Sequence, residues 1–138
     1  MELTVTIKYF ILKKITKNII QKYIKAHQIE LFPTQAKLCI PIIDRLYKKM
    51  SAGINFSGIK VNNGLICDGH HRYIAALLAN FKLEQIPSSI TSATILGKWD
   101  SVIFENEDWD TEAKINMLNE VDSLYNNIAL EKIVEILK

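Results

Sequence analysis

The sequence predicts an α+β fold: a small mixed β-sheet with packed helices and a helical extension at the C-terminal end. Three observations lead there. Short runs that alternate apolar and polar residues are interspersed with longer runs whose apolar residues recur at helical spacing. An Asn-Gly turn sits between two short apolar runs, which marks a hairpin. The chain has 138 residues, 49% of them apolar, which suits one domain spanning residues 1–138 with a continuous core.

The elements follow in order. Leu3-Thr4-Val5-Thr6-Ile7 alternates and reads as a strand. Thr16 is placed to cap a helix whose stripe is Ile19, Ile20, Tyr23, Ile24 and His27. Ile29-Glu30-Leu31-Phe32 reads as a short strand stopped by Pro33. Pro41 suits the first turn of a helix that carries Ile42, Ile43, Leu46, Tyr47 and Met50 on one face, and Gly53 ends it. Ile59-Lys60-Val61 and Leu65-Ile66-Cys67 flank the turn Asn62-Asn63-Gly64. Asp68-Gly69 then breaks the strand, and residues 70–80 read as a helix. Its stripe is Ile74, Leu77, Leu78 and then Phe81, with Ala75, Ala76 and Ala79 allowing close packing. Residues 92–99 read as a further strand. The tail, residues 98–138, reads as two helices, one after Asp110 (Ile115, Leu118, Val121, Tyr125) and one over about 130–137.

Composition narrows the function classes. Cys39 and Cys67 form neither a disulfide framework nor a CxxC pair, so a reduced, cytoplasmic setting is expected. The N-terminal run is interrupted by Glu2, Lys8, Lys13 and Lys14, unlike a signal peptide, and no segment has the length of a membrane span. Residues 1–60 hold 11 Lys and Arg against 3 acids, a balance of +8, and residues 61–138 hold 6 against 12, a balance of −6. A basic half suits an anionic ligand such as a nucleotide or nucleic acid, or an acidic partner. Equally, it is what a Lys-rich solvated surface produces.

The unit from Leu65 to Phe81 carries the chemistry. It is a strand, a glycine turn and a helix start, where unpaired N–H groups and positive partial charge attract anions. Yet His70, His71 and Arg72 fill that first turn, where acids are usually favoured. Three potential cations there call for an anion. Gly69 would let a phosphate approach, and Arg72, off the apolar stripe, would grip it in bidentate fashion. Asp68 could cap the helix, orient a histidine, hold a metal or act as a base. His70 falls on the buried stripe, as a core histidine would.

The run Cys67-Asp68-Gly69-His70-His71-Arg72-Tyr73-Ile74-Ala75-Ala76, with the hairpin before it and Ile86-Pro87 after it, resembles the phosphate-binding core of the ParB/sulfiredoxin superfamily. Phe32-Pro33-Thr34-Gln35 is similar to the segment preceding that family's first helix. The resemblance covers about residues 29–97. It implies that Gly69, His70, His71 and Arg72 surround nucleotide phosphates, with Thr34 and Gln35 on the facing segment. The superfamily includes CTP-hydrolysing partition proteins, ATP-using sulfiredoxins, free serine kinases and nucleases.

This chain departs from two of those branches. Sulfiredoxin has a cysteine where His70 stands, and Cys67 lies three residues too early on a strand. The partition proteins carry a DNA-reading domain for which residues 98–138 are too short and too acidic. The expectation is therefore a nucleotide hydrolase or phosphotransferase that uses ATP or CTP with Mg²⁺. Asp68, His70 and His71 would be catalytic, and Asp68 would contact the metal. The alternative is a ParB-like nuclease or DNA-binding module. A related one is an interbacterial toxin domain held by an inhibitory protein partner.

Overall fold

The computed structural model describes residues 13–138, so the strand expected at Leu3–Ile7 lies outside the described residues. Helix α1 (Lys17–Ala26) starts where the sequence expects it: Thr16 Oγ1 accepts the Ile19 N–H at 3.3 Å. Ile20 is fully buried, and Ile19 and Ile24 pack beside it on the core.

Strand β1 (Lys37–Cys39) runs directly into helix α2 (Ile40–Ser51), which has Pro41 in its first turn. Proline fits there because the first turn has no intrahelical acceptor for its missing N–H. Ile43 and Met50 face the core, and Gly53 follows the helix at φ +90°.

The hairpin is present as expected. Strand β2 (Ile59–Asn62) pairs antiparallel with β3 (Leu65–Asp68), and Asn63 and Gly64 take the positive φ angles, 45° and 80°, of a primed two-residue turn. Helix α3 (His70–Ala79) follows β3, and β4 (Gln85–Pro87) returns parallel to β2, giving a mixed three-stranded sheet in the order β3-β2-β4. A 3₁₀ turn (Trp99–Ser101) leads to β5 (Ile103–Glu105), which pairs parallel with β1 in a separate two-stranded sheet. Helices α4 (Glu112–Asn126) and α5 (Leu130–Ile136) complete the chain.

The structure is thus α+β with a small mixed sheet, and it differs from expectation in three places. Ile29–Phe32 makes only one bridge, Phe32 with Leu65, because the next N–H on that edge, that of Thr34, goes to His70 Nε2 instead of continuing the ladder. Residues 92–99 form no strand; Ile95 and Leu96 are 71% and 67% exposed. The strand lies instead at β5, whose partner β1 was not legible. Trp99, Val102 and Phe104 are buried in the same core, and Trp99 Nε1 donates to Leu31 O at 2.8 Å. Finally, α3 buries Tyr73, Ile74, Ala75 and Ala76, while Leu77 and Leu78 are only partly covered. The two alanines bring α2 and α3 into extensive contact, so the buried face of α3 turns toward α2. Each fully buried isoleucine here stabilises the fold by roughly 1.5–3 kcal/mol. No helix among the described residues is long and apolar enough to cross a membrane.

Candidate functional site

The turn before α3 depends on a glycine for two reasons. Gly69 sits at φ +100°, and a Cβ there would lie 2.5 Å from Ile59 Cγ2 and 3.0 Å from Arg72 Nη2. Packing against β2 therefore accounts for the glycine without a ligand. Gly69 itself occupies the N-cap position and no side chain caps the helix. Asp68 is not a cap; its exposed carboxylate approaches Arg72 Nη2 at 3.5 Å.

His70 and His71 act as acceptors. His70 is 5% exposed, and its Nε2 accepts the Thr34 N–H at 3.0 Å. His71 Nε2 accepts the Cys39 N–H at 2.9 Å, and its ring meets Trp109 edge-on with centroids 5.3 Å apart. An imidazole that accepts through Nε2 is neutral and carries its proton on Nδ1. Burial drives both histidines the same way. The His70 pKa is lowered by desolvation against a weaker pull from Asp68. That of His71 falls to about 4 through desolvation and the neighbouring His70, with Asp110 acting in the opposite sense. The expected crowd of three cations is therefore a correction: at neutral pH the first turn holds one, Arg72. His70 has no free Nε2 lone pair for base chemistry, and both rings are left as donors.

Arg72 is also engaged. Its Nη1 donates to Ser57 O at 3.0 Å, Gly58 O at 3.1 Å and Ser57 Oγ at 3.2 Å. The motif thus ties three separate segments to the start of α3: Thr34, Cys39 and the Ser57-Gly58 loop. Thr34 serves this staple, its hydroxyl donating to Ile66 O. Gln35 bonds Lys37 O at 2.9 Å and stays exposed. Cys67 is half-buried on β3 and does not line the cleft described next.

The start of α3 opens onto a cleft of about 490 Å³ walled by α2 and α4. Gln35, Asp68, Gly69, His70, His71 and Arg72 all line it, so of the expected site residues only Thr34 stands behind it. The rest of the wall comes from residues that the sequence assigns to helix stripes or does not connect with the site. Ile42, Leu46, Phe56, Ile115 and Leu118 are apolar, Arg45, Lys49 and Lys114 are cationic, and Asp110, Asp122 and Asn119 complete the lining. The amides of His70, His71 and Arg72 precede the first helical bond, Tyr73 N–H to Gly69 O at 2.9 Å. They remain available as donors.

Two of the cations are held inside the molecule. Arg45 forms a bidentate pair with Asp108 at 2.6 and 3.0 Å and reaches Asp110 at 3.1 Å. Burial acts to lower the Arg45 pKa, but the two carboxylates outweigh it and raise it, and Arg45 in turn holds Asp108 below the usual carboxylate range. Lys49, only 5% exposed in its side chain, pairs with Asp122 at 2.6 Å. Arg45 and Lys49 of the basic first half thus pair with carboxylates of the acidic second half within the chain. Asn119, on the same face of α4, is 4% exposed, and its Oδ1 has no hydrogen-bond partner among the described residues.

A second cavity of about 370 Å³ lies beside α1, against Tyr23, Tyr73 and Phe81. Among the described residues its lining holds no Lys or Arg and one carboxylate, Glu30, so it lacks the fixed positive charge that would draw an anion. Among the described residues no three His, Cys, Asp or Glu side chains gather closely enough to hold a metal ion. No family model, curated protein or solved structure matches the chain at a significant level.

Proposed function

We propose that the cleft binds a nucleotide, with its phosphates at the start of α3, in the manner of the ParB/sulfiredoxin-like proteins that the motif resembles. The observation that carries this reading is the lining of the cleft. Unpaired helix-start amides and cationic side chains border the same 490 Å³ space as a set of apolar residues. Such a division suits a ligand with a charged end and a flat, weakly polar end, and the volume is typical of small-molecule sites. Backbone amides at a helix start bind phosphate without any histidine charge. The tautomers that the Thr34 and Cys39 hydrogen bonds require leave an Nδ1–H on each ring as a neutral donor.

A Mg²⁺ ion fits this site only in part. Asp68 is one exposed carboxylate at the cleft, and Mg²⁺ in nucleotide sites takes one or two carboxylates, the remaining ligands coming from phosphates and water. Asp68 would hold it, and the ion would supply charge neutralisation at the phosphates. The chain's own part in phosphoryl transfer or hydrolysis is positioning: amides and His71 hold the phosphate oxygens, and Asp68, the motif's one carboxylate and exposed beyond its 3.5 Å contact with Arg72, accepts a proton from an attacking hydroxyl.

Thermal unfolding with ATP, CTP, GTP and tripolyphosphate, each with and without Mg²⁺, tests the reading. A ligand at 100 times its Kd adds about 2.7 kcal/mol to the apparent stability. The expected outcome is a raised Tm with at least one nucleotide, larger with Mg²⁺. Unchanged Tm values across the panel at millimolar ligand would remove the reading.

A further inference from the structure

Asn119 poses a question that the rest of the fold does not. An amide oxygen buried without a partner is costly, and the cost is relieved only when a donor arrives. Asn119 Oδ1 is in that condition, and its side chain lines the cleft that also takes the start of α3. Its neighbours on that face of α4 cannot serve it: Ile115 is apolar, and Asp122 is an acceptor committed to Lys49 at 2.6 Å. Leucine at 119 would suit a purely structural helix face better.

We infer that Asn119 is a specificity residue: its Oδ1 accepts a hydrogen bond from a hydroxyl or amino group of a phosphorylated ligand. The inference rests on the phosphate reading of the cleft and adds to it. The phosphate end is held at α3, and α4 reads a donor elsewhere on the same molecule. A nucleoside phosphate has both features, through its ribose hydroxyls and any exocyclic amine. Inorganic polyphosphate has the anion alone. A site built to bond one donor rejects analogues lacking it, because the acceptor is then left buried and unpaired.

Calorimetry on the full chain separates the two parts. The probes are tripolyphosphate and whichever of ATP and CTP binds the unmodified protein more tightly. For Asn119→Leu the expected result is at least a tenfold loss of nucleotide affinity with tripolyphosphate affinity changed less than twofold. Without ligand the same variant is expected to unfold at a higher temperature, since an unpaired buried amide has been replaced by an apolar group of similar size. Asn119→Ala repeats the binding test should leucine disturb α4. Nucleotide binding that is lost no more than tripolyphosphate binding overturns the inference and leaves the phosphate reading standing. So does a wild-type protein that binds tripolyphosphate as tightly as either nucleotide. Failure of all three probes to bind the unmodified protein overturns the phosphate reading, and the inference falls with it.

Discussion

The first turn of α3 and the inner face of α4 border one cleft and treat their polar groups in opposite ways. In α3 every side chain of the Asp-His-His-Arg set has a partner: His70 takes the Thr34 amide, His71 the Cys39 amide, and Arg72 two carbonyls and Asp68. In α4 the pair Lys49–Asp122 is closed, but Asn119 Oδ1 is left open. The difference separates residues that hold the cleft in shape from one whose polar atom is left unmet. His70, His71 and Arg72 brace the fold while they border the cleft, and the clearest unmet demand lies in the helical extension.

The largest expected effect follows from the neutral histidines. His71 has a folded-state pKa of about 4 against an ordinary 6.5, so the unfolded chain binds the extra proton first as pH falls. Its contribution to stability is complete above pH 6.5, declines as pH falls from there, and is lost once pH is below about 4. A shift of this size corresponds to a loss on the order of 3 kcal/mol, with His70 acting in the same direction. Urea unfolding at pH 7.5 and pH 5 is expected to show this decline, and His71→Gln, which cannot titrate, is expected to flatten it. An unmodified protein equally stable at both values would mean that the histidines are charged or exposed, and the contrast between α3 and α4 would break.

Arg72 comes next. Hydrogen bonds from a charged donor contribute roughly 1.5–3 kcal/mol, and Arg72→Ala removes those that hold the Ser57-Gly58 loop to α3. The expected loss is about 2 kcal/mol in urea unfolding. Reading Arg72 as a surface residue off the apolar stripe predicts almost none. A variant of unchanged stability that no longer binds nucleotide would return Arg72 to the ligand and sharpen the comparison against the staple.

Much of the fold was legible because its signals are local. Thr16 before an apolar stripe, Pro41 at a helix start and Asn63-Gly64 between apolar runs each fix their element within a few residues. The pairing of β1 with β5 was not, since each is three residues long and Lys37 meets Ile103 across about half of the chain. Ile95 and Leu96 misled in the opposite direction, apolar in type yet exposed. At the site, position along the chain located the α3 turn correctly, but residue type did not reveal protonation. That depended on Thr34 and Cys39 presenting amides to the rings. Asn119 was illegible for a related reason: an asparagine in an amphipathic helix reads as solvated until Lys49 and Asp122 close the surface around it.

The smallest expected effect on stability is at Lys114, which tests whether α4 belongs to the binding surface at all. Its side chain is exposed, lies at the cleft and starts from the first turn of α4, where Thr111 Oγ1 accepts its backbone N–H at 3.2 Å. That capping bond involves only the main chain, so Lys114→Ala retains it, and alanine is at least as good a helix former as lysine. Stability is therefore expected to change by less than about 0.5 kcal/mol. Binding is a different matter. Arg45 and Lys49 are neutralised by their own carboxylates, which leaves Lys114 as the α4 cation able to turn toward a phosphate. Loss of one exposed charge near an anion is expected to weaken tripolyphosphate about threefold at low salt. The deficit should shrink in 0.5 M NaCl, where screening shortens the reach of exposed charges to a few ångströms. If affinity is unchanged at low salt, the anion is held by α3 alone. The two sides of the cleft would then differ in location as well as in chemistry, and α4 would be left with Asn119 as its one contact to a ligand.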